Sequence, residues 1–476
     1  MSNTRLPPEK QNGGYDLAVI GAGSAGFSAA ITAADQGAQV ALIGHGTIGG
    51  TCVNVGCVPS KTLIRAAEAV HHANTAPRFA GVAGTARLTD WAALRAQKDE
   101  LVEALRKAKY SDLLPAYNGI AYRSGKARLG NGGVLVDGRH IEADKIIIAT
   151  GSHEFVPDIP GIGNTPYLTS ASAFEMADLP ESMIVIGGGY IGCELAQMFA
   201  RLGVRVTMVF RSRLLPEAEP EISEALAGYF EAEDITVRRV GGYHGIRTSG
   251  GGIALSVTLD GAAETLEAQR ILLSVGRAAN TDGLGLEEAG VALLPNGGIK
   301  VDDRMRTTKP GVYAAGDVTG RDQFVYMAAH GAKIAASNAL NGDGRSYDNL
   351  AMPAVVFTDP QVASVGLTEA AARARGIDVK TSLLTLDKVP RALAARDTRG
   401  LIKLIADGVN GKLIGAHILA PEGADSIQTA ALAIKQGMTY GDLGEMIFPY
   451  LTTVEGLKLA AQTFDRDVSK LSCCAG

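Results

Sequence analysis

Short apolar runs recur along the chain, and most of them stop at glycine. The first, at 17–20, meets Gly21-Ala22-Gly23-Ser24-Ala25-Gly26, then an alanine-rich stretch to position 36 and a second apolar run at 39–43. Runs this short, bounded by turn residues, predict buried strands; strand, glycine turn, helix and strand in succession predict a βαβ unit. The unit recurs as an apolar run at 183–186, Gly187-Gly188-Gly189-Tyr190-Ile191-Gly192, a helix at 194–202 and a strand at 205–210. One G-x-G-x-x-G is weak evidence. Two in this context predict two dinucleotide sites, in which Gly21, Gly23, Gly26 and Gly187, Gly189, Gly192 let a pyrophosphate approach a helix N-terminus. Apolar runs at 145–151, ending on Thr150-Gly151, and at 271–276, ending on Gly276, each close a nucleotide-binding segment. A further run at 312–317 ends on Asp317. From position 351 the pattern changes to strands at 355–357, 401–405 and 413–419 with helices at 424–436 and 439–447, which predicts a separate α+β domain. The fold class is therefore α/β: two Rossmann-like dinucleotide-binding domains plus a C-terminal α+β domain. The expected boundaries are a disordered N-terminus at 1–14, a first domain from 15–150 and 280–350, a second at 151–279 and a third at 351–476.

Composition narrows the setting. A net charge of −5 over 476 residues offers no basic surface for nucleic acid. No apolar run approaches the length of a membrane span, and the polar N-terminus has no signal core. Only 5 cysteines in a chain this long do not make a disulfide framework, which favours the cytoplasm.

Four of those cysteines fall in two places. Positions 49–61 read Gly-Gly-Thr-Cys-Val-Asn-Val-Gly-Cys-Val-Pro-Ser-Lys, and the chain ends Ser472-Cys473-Cys474-Ala475-Gly476. Such sulfur density selects for disulfide exchange or a thiophilic metal. In a regular helix Cys52 and Cys57 would face different ways and lie beyond disulfide range, so this segment must be irregular at a helix start, which Gly56 permits. Cys473 and Cys474 are neighbours and suit two thiols or a metal chelate better than a strained disulfide. Cys193, just after the second glycine turn, reads as a small packing residue.

Both turns lack the acid that normally ends the following strand and holds a ribose. After the first, Ile43 is followed by Gly44 and His45, so an acid restored at 44 is expected to tighten the hold on the nucleotide. After the second, Phe210 is followed by Arg211 and Arg213, a guanidinium pair that suits a 2′-phosphate and favours NADPH over NADH. The eight histidines show no ligand spacing.

The cysteine run, the two glycine turns, Ala149-Thr150-Gly151, Ala315-Gly316-Asp317 and the C-terminal domain together resemble the pyridine nucleotide–disulfide oxidoreductase family, to which glutathione reductase and dihydrolipoamide dehydrogenase belong. The resemblance spans nearly the whole chain. It implies that the first domain binds FAD, the second NAD(P)H, and that the third forms a homodimer with active sites shared between subunits. It also implies that Gly46, Thr51, Lys61, Ala127, Asp317 and Val325 contact FAD. Lys61 would sit near the flavin N5 and pair with Glu194, and Tyr190 would gate the nicotinamide pocket. Cys57 would be the thiol nearer the flavin and Cys52 the exchanging one. The family's His-Pro-Thr-x-x-Glu acid–base segment appears as 449–455, Pro-Tyr-Leu-Thr-Thr-Val-Glu, with Tyr450 in place of the histidine and Glu455 retained.

The tail and Phe-Pro-Tyr-Leu-Thr-Thr-Val-Glu-Gly-Leu-Lys at 448–458 are similar to the mercuric reductases within that family, in a form without the small N-terminal metal-binding domain. This implies NADPH-dependent reduction of mercuric ion to elemental mercury, with the metal held by Cys52, Cys57 and the partner chain's Cys473 and Cys474. Two other readings stand beside it: a reductase of an organic disulfide, of glutathione or thioredoxin reductase type, and a non-catalytic thiol metal-binding flavoprotein.

Overall fold

The computed structural model describes residues 14–467. Cys473, Cys474 and all but the last residue of the expected disordered N-terminus lie outside the described residues. The chain divides into two compact units, one from 1–60, 93–155 and 276–348, the other from 61–92, 156–275 and 349–476.

In the first unit, Tyr15–Ile20 is the centre of a parallel sheet, flanked by Val40–Gly44 and by the second half of Arg139–Ile148. Ile120–Ser124 extends it beyond Val40–Gly44, and Val312–Ala314 pairs with the far side of residues 146–148. Ile147 and Ile148 are fully buried because both faces of the sheet are covered, the Ile148 face by the segment that carries Leu129, Val134, Leu286 and Ile299, and the strand therefore reads as a continuous apolar run rather than an alternation. The first half of Arg139–Ile148 turns antiparallel and joins Gly133–Val136 and Ala127–Gly130. The helix Ser24–Ala34, built from alanine and other small residues, packs closely on the helix Val325–Asn341. Small side chains let the two backbones approach, so this contact rests mainly on shape, with Gln36 just past the first helix bonding Ser337 and Asn341 of the second.

In the second unit the other glycine turn leads from Ser182–Ile186 into the helix Tyr190–Arg201. The parallel sheet runs Thr236–Arg239, Arg205–Phe210, Ser182–Ile186, Arg270–Leu273, beside a three-stranded antiparallel meander from Gly242 to Ala268. Its first turn falls at Gly250 and Gly251, both with positive φ. Residues from 353 form a five-stranded antiparallel sheet, with Gly423–Lys435 on one face and Glu455–Gln462 near Val379–Thr385 and Leu401–Asp407. Polar fasteners join the layer of the parallel sheet to the five-stranded sheet. Buried Lys403 bonds Glu219 at 2.8 Å, and the Gln197 side chain exchanges two hydrogen bonds of 2.8 Å with the backbone of Asp359. The predicted helix at 439–447 is shorter, Tyr440–Glu445, because the chain turns extended at Met446 on its way to Pro449.

Candidate active site

The first turn is built by close backbone approach. Gly21 has φ +119°, and a Cβ there would lie 2.1 Å from the Ala149 carbonyl oxygen. No other residue fits, so the strand can run directly into the helix that starts at Ser24, with Gly23 as its N-cap. Gly26 lies buried within that helix. The cysteine run is fastened to this turn. The Gly49 amide donates to the Ala22 carbonyl at 2.9 Å, and a Cβ on Gly50 would lie 2.6 Å from the Gly23 Cα.

Gly50–Asn54 forms one short helix, exposing Thr51 and half-burying Cys52; the chain then breaks at Val55-Gly56 and restarts as Cys57–Asn74. The expected irregularity is thus present, with exposed Cys57 the first residue of an 18-residue helix, the end where partial positive charge favours an anion. Asn54 holds the break. Its amide donates to Ile48 and Gly50 carbonyls at 2.9 and 2.8 Å, and its oxygen accepts from Arg106 at 3.1 Å.

Two further predicted contacts are held by residues that spacing did not reveal. Asp317 accepts a 2.7 Å hydrogen bond from Ser152, whose hydroxyl and carbonyl oxygens are both held by Arg277 at 2.8 and 2.7 Å. Thr150 and Asn280 exchange hydrogen bonds of 2.7 and 2.9 Å. Gly46 and Gly151 have positive φ, and a Cβ on either would meet nothing within 4 Å. That open space beside the chain, together with the helix N-terminus at Gly23, fits a dinucleotide such as FAD. Ala127 begins the strand Ala127–Gly130, half-buried against the core, and Val325 begins the helix Val325–Asn341.

At the end of Val40–Gly44 a Cβ on Gly44 would lie 2.6 Å from the Tyr122 hydroxyl and 2.8 Å from the Ala22 Cβ. An acid cannot be restored there without displacing Tyr122. This corrects the expectation that an acid at 44 would tighten the hold.

The second turn repeats the construction. Gly187 has φ +116°, with a Cβ position 2.4 Å from the Ser274 carbonyl oxygen, and a Cβ on Gly192 would lie 2.2 Å from the Gly187 carbonyl oxygen. Gly189 is the N-cap of Tyr190–Arg201 and faces open space; Gly276, with φ +123°, does too. Burial, then the nearby Glu217 carboxylate, pushes the Tyr190 phenol up to about 12, so it stays neutral. Cys193 is fully buried and its thiol is pushed well up by burial and by the Glu194 charge. Its sulfur points at the Gly188 carbonyl, 3.5 Å away, as befits a packing residue.

Lys61, on the helix Cys57–Asn74, bonds buried Glu194 at 2.7 Å. The other Glu194 oxygen accepts the Phe357 amide at 2.9 Å, and the Lys61 ammonium lies 4.9 Å from the Phe357 ring centroid. Both carboxylate oxygens are thus committed, which fixes the lysine head. The two arginines differ. Arg211 is exposed, whereas one Arg213 nitrogen donates to the Pro216 and Ala218 carbonyls at 2.8 Å each, holding its own loop. In the acid–base segment, Tyr450 is half exposed and Leu451 has φ +61°. Buried Glu455 accepts the Leu451 amide at 3.1 Å, so its carboxylate braces that bend.

Among the described residues, no group of three or more His, Cys, Asp or Glu is arranged to hold a metal ion, and no helix is long and apolar enough to cross a membrane.

Comparison with known proteins agrees with this construction. The model of the pyridine nucleotide-disulphide oxidoreductase family matches residues 15–336, and that of its dimerisation domain matches 352–461, which supports a homodimer. The chain is 48% identical to a mercuric reductase of Streptomyces lividans, over 97% of this chain and 99% of the relative. It is 45% identical to one of Lysinibacillus sphaericus, over 97% of this chain and 85% of the relative. Among solved structures, the HOCl-induced flavoprotein disulfide reductase RclA of Escherichia coli superposes with a TM-score of 0.83 at 32% identity, covering 94% of this chain and 99% of that one. The chain belongs to the pyridine nucleotide-disulphide oxidoreductase family, on its mercuric reductase branch.

Proposed function

We infer that this chain is an NADPH-dependent flavoenzyme that reduces mercuric ion to elemental mercury. The observation that carries the reading is the fastening of the Cys52/Cys57 segment onto the first dinucleotide turn, through Gly49–Ala22 and Gly50–Gly23. Exchangeable thiols belong beside a flavin only if electrons pass between them. The net reaction balances as mercuric ion plus NADPH giving mercury, NADP+ and a proton. FAD, when bound, supplies the relay between the two-electron donor and the thiol site.

The chain's own groups bind and position. The second turn and Arg211 hold NADPH, with Tyr190 as the neutral gate over the nicotinamide. The first turn, Lys61 and the Ser152-braced Asp317 hold FAD. Cys52 and Cys57 hold the metal as a dithiolate, a donor set suited to a soft cation. Cys473 and Cys474 of the partner subunit strip the metal's thiol ligands and pass it inward, so active sites are shared between subunits of a dimer working in the cytoplasm. The domain boundaries follow the sequence reading: FAD at 15–150 and 280–350, NADPH at 151–279, dimerisation at 351–476.

The organic-disulfide alternative needs an acid to protonate a leaving thiolate. Here a tyrosine replaces the histidine, and the Glu455 carboxylate is engaged by the Leu451 amide. Anaerobic NADPH oxidation separates the two: mercuric ion with excess small thiol should sustain turnover, and oxidised glutathione should not. Turnover with glutathione alone would overturn the reading. In the same assay Cys473→Ala/Cys474→Ala should collapse turnover of mercury held by two bulky thiols and reduce turnover of the halide form less. Equal rates for both mercury forms at the parental level would exclude the relay.

A further inference from the structure

The first turn lacks its ribose-binding acid, yet the space that acid would grow from is filled. Ile120–Ser124 lies parallel to Val40–Gly44 with Tyr122 opposite Leu42. Leu42 and Gly44 share a face of the sheet, and two residues along a strand span about 6.6 Å, close to the reach of a tyrosine side chain. Leaning along the strand, the Tyr122 ring therefore brings its hydroxyl to the C-terminal edge of the sheet. There the oxygen lies 2.6 Å, and Cε2 3.0 Å, from where a Cβ on residue 44 would be. Ligands of open parallel sheets bind at this edge.

Among the described residues, none uses this hydroxyl to hold the fold together. Tyr122 is half-buried, and among the described residues neither a hydrogen bond nor a neighbouring charge acts on its phenol; burial alone raises its pKa. A neutral phenol both donates and accepts, whereas a carboxylate only accepts.

We propose that Tyr122 takes over the role of the missing acid, its hydroxyl making the hydrogen bond, direct or through one water, to the adenosine ribose of FAD. Gly44 and Tyr122 are then one device: the glycine exists to admit the phenol from the neighbouring strand. The proposal rests on FAD occupying the first turn.

The test is the FAD dissociation constant of reconstituted apoprotein, with the apoprotein melting temperature as a control on folding. Tyr122→Phe keeps the ring and removes only the oxygen. FAD should bind about five- to tenfold more weakly, the loss of one hydrogen bond, with the apoprotein melting unchanged. With an FAD analogue lacking both adenosine ribose hydroxyls, parent and variant should bind alike. Gly44→Glu should weaken FAD binding, because its Cβ would strike the Tyr122 hydroxyl and the Ala22 Cβ. An unchanged dissociation constant in Tyr122→Phe, or tighter FAD binding by Gly44→Glu alone, overturns the proposal; if Gly44→Glu does not fold, Tyr122→Phe decides. A parent protein that binds no FAD would instead refute the cofactor reading.

Discussion

The chain contains the same turn twice, and the two copies have been put to different uses. Gly21 and Gly187 solve one steric problem identically, each facing a carbonyl oxygen that a side chain would strike. Their helices differ. Ser24–Ala34 is small and apolar and meets another helix through close packing, while Tyr190–Arg201 carries Glu194, Gln197 and Arg201, all paired. Glu194 fixes Lys61 and the Phe357 amide; Gln197 and Arg201 hold Asp359 and Glu233. The first copy is fastened by backbone against backbone and carries the thiols. The second is bolted by charge to the sheet that follows, and positions a lysine through a partner 133 residues away. The strand ends diverge as well: a neutral glycine–tyrosine pair follows the first turn and an exposed Arg211 the second.

Polar bolting makes the second helix the more vulnerable one. Glu194→Ala strips the counter-charge from Lys61 and a partner from the Phe357 amide, and should destabilise by about 2–3 kcal/mol in denaturant or thermal melts. Ser28 occupies the corresponding place on the first helix, by the offset 187 − 21 = 166 between the turns. Ser28→Ala should stay within about 0.5 kcal/mol of the parent. Similar losses in both variants would erase the distinction.

Cofactor choice should be decided by one arginine rather than two. Arg211→Ala should raise KM for NADPH about tenfold, the loss of a charge-assisted contact, and leave NADH unaffected. Arg213→Ala frees the carbonyls of its own loop and should impair both cofactors alike. If Arg213→Ala discriminates between them instead, its loop bonds do not define its role.

The smallest effect concerns pH. His71 lies 3.9 Å from Glu233 within the ionic cluster around Arg201, Asp359 and Arg399. Burial, aided by the Arg201 charge, lowers its pKa below the ordinary 6.5, against the pull of Glu233 and Asp359. The folded protein therefore resists protonation at a pH where the unfolded chain accepts it. The resulting stability is full above pH 6.5 and is lost progressively as pH falls from that value through the lower pKa of the folded state. His71→Gln should show a shallower decline of stability between neutral and mildly acidic pH; an unchanged slope would remove His71 from that linkage.

Both turns were legible from sequence because their glycines answer backbone clashes that any such turn creates. Strand and helix positions followed from apolar runs and shifted mainly at their ends, as at 439–447, where the Pro449 region shortens the helix. The break between Cys52 and Cys57 was legible because two thiols five residues apart cannot pair across a regular helix. Ser152, Arg277 and Asn280 were not, since they act through distant partners and carry no spacing of their own. Lys61 and Glu194 came only from the family resemblance, for the same reason. At Gly44 the absence of an acid was plain, but its replacement was hidden on a neighbouring strand. At Arg213 the sequence shows only a guanidinium near a nucleotide turn, and the bonds of one of its nitrogens to its own loop become visible only in the structure.

The central claim is that electrons from NADPH reach mercury through the thiols of the first turn. Its most direct test is elemental mercury released per NADPH oxidised, under anaerobic conditions with excess small thiol, in the parent and in Cys52→Ala/Cys57→Ala. The account predicts one mercury atom per NADPH in the parent, from the two-electron stoichiometry, and a loss of more than about a hundredfold in the variant with its FAD retained. NADPH oxidation without mercury release in the parent, or release at the parental rate from the variant, would contradict it.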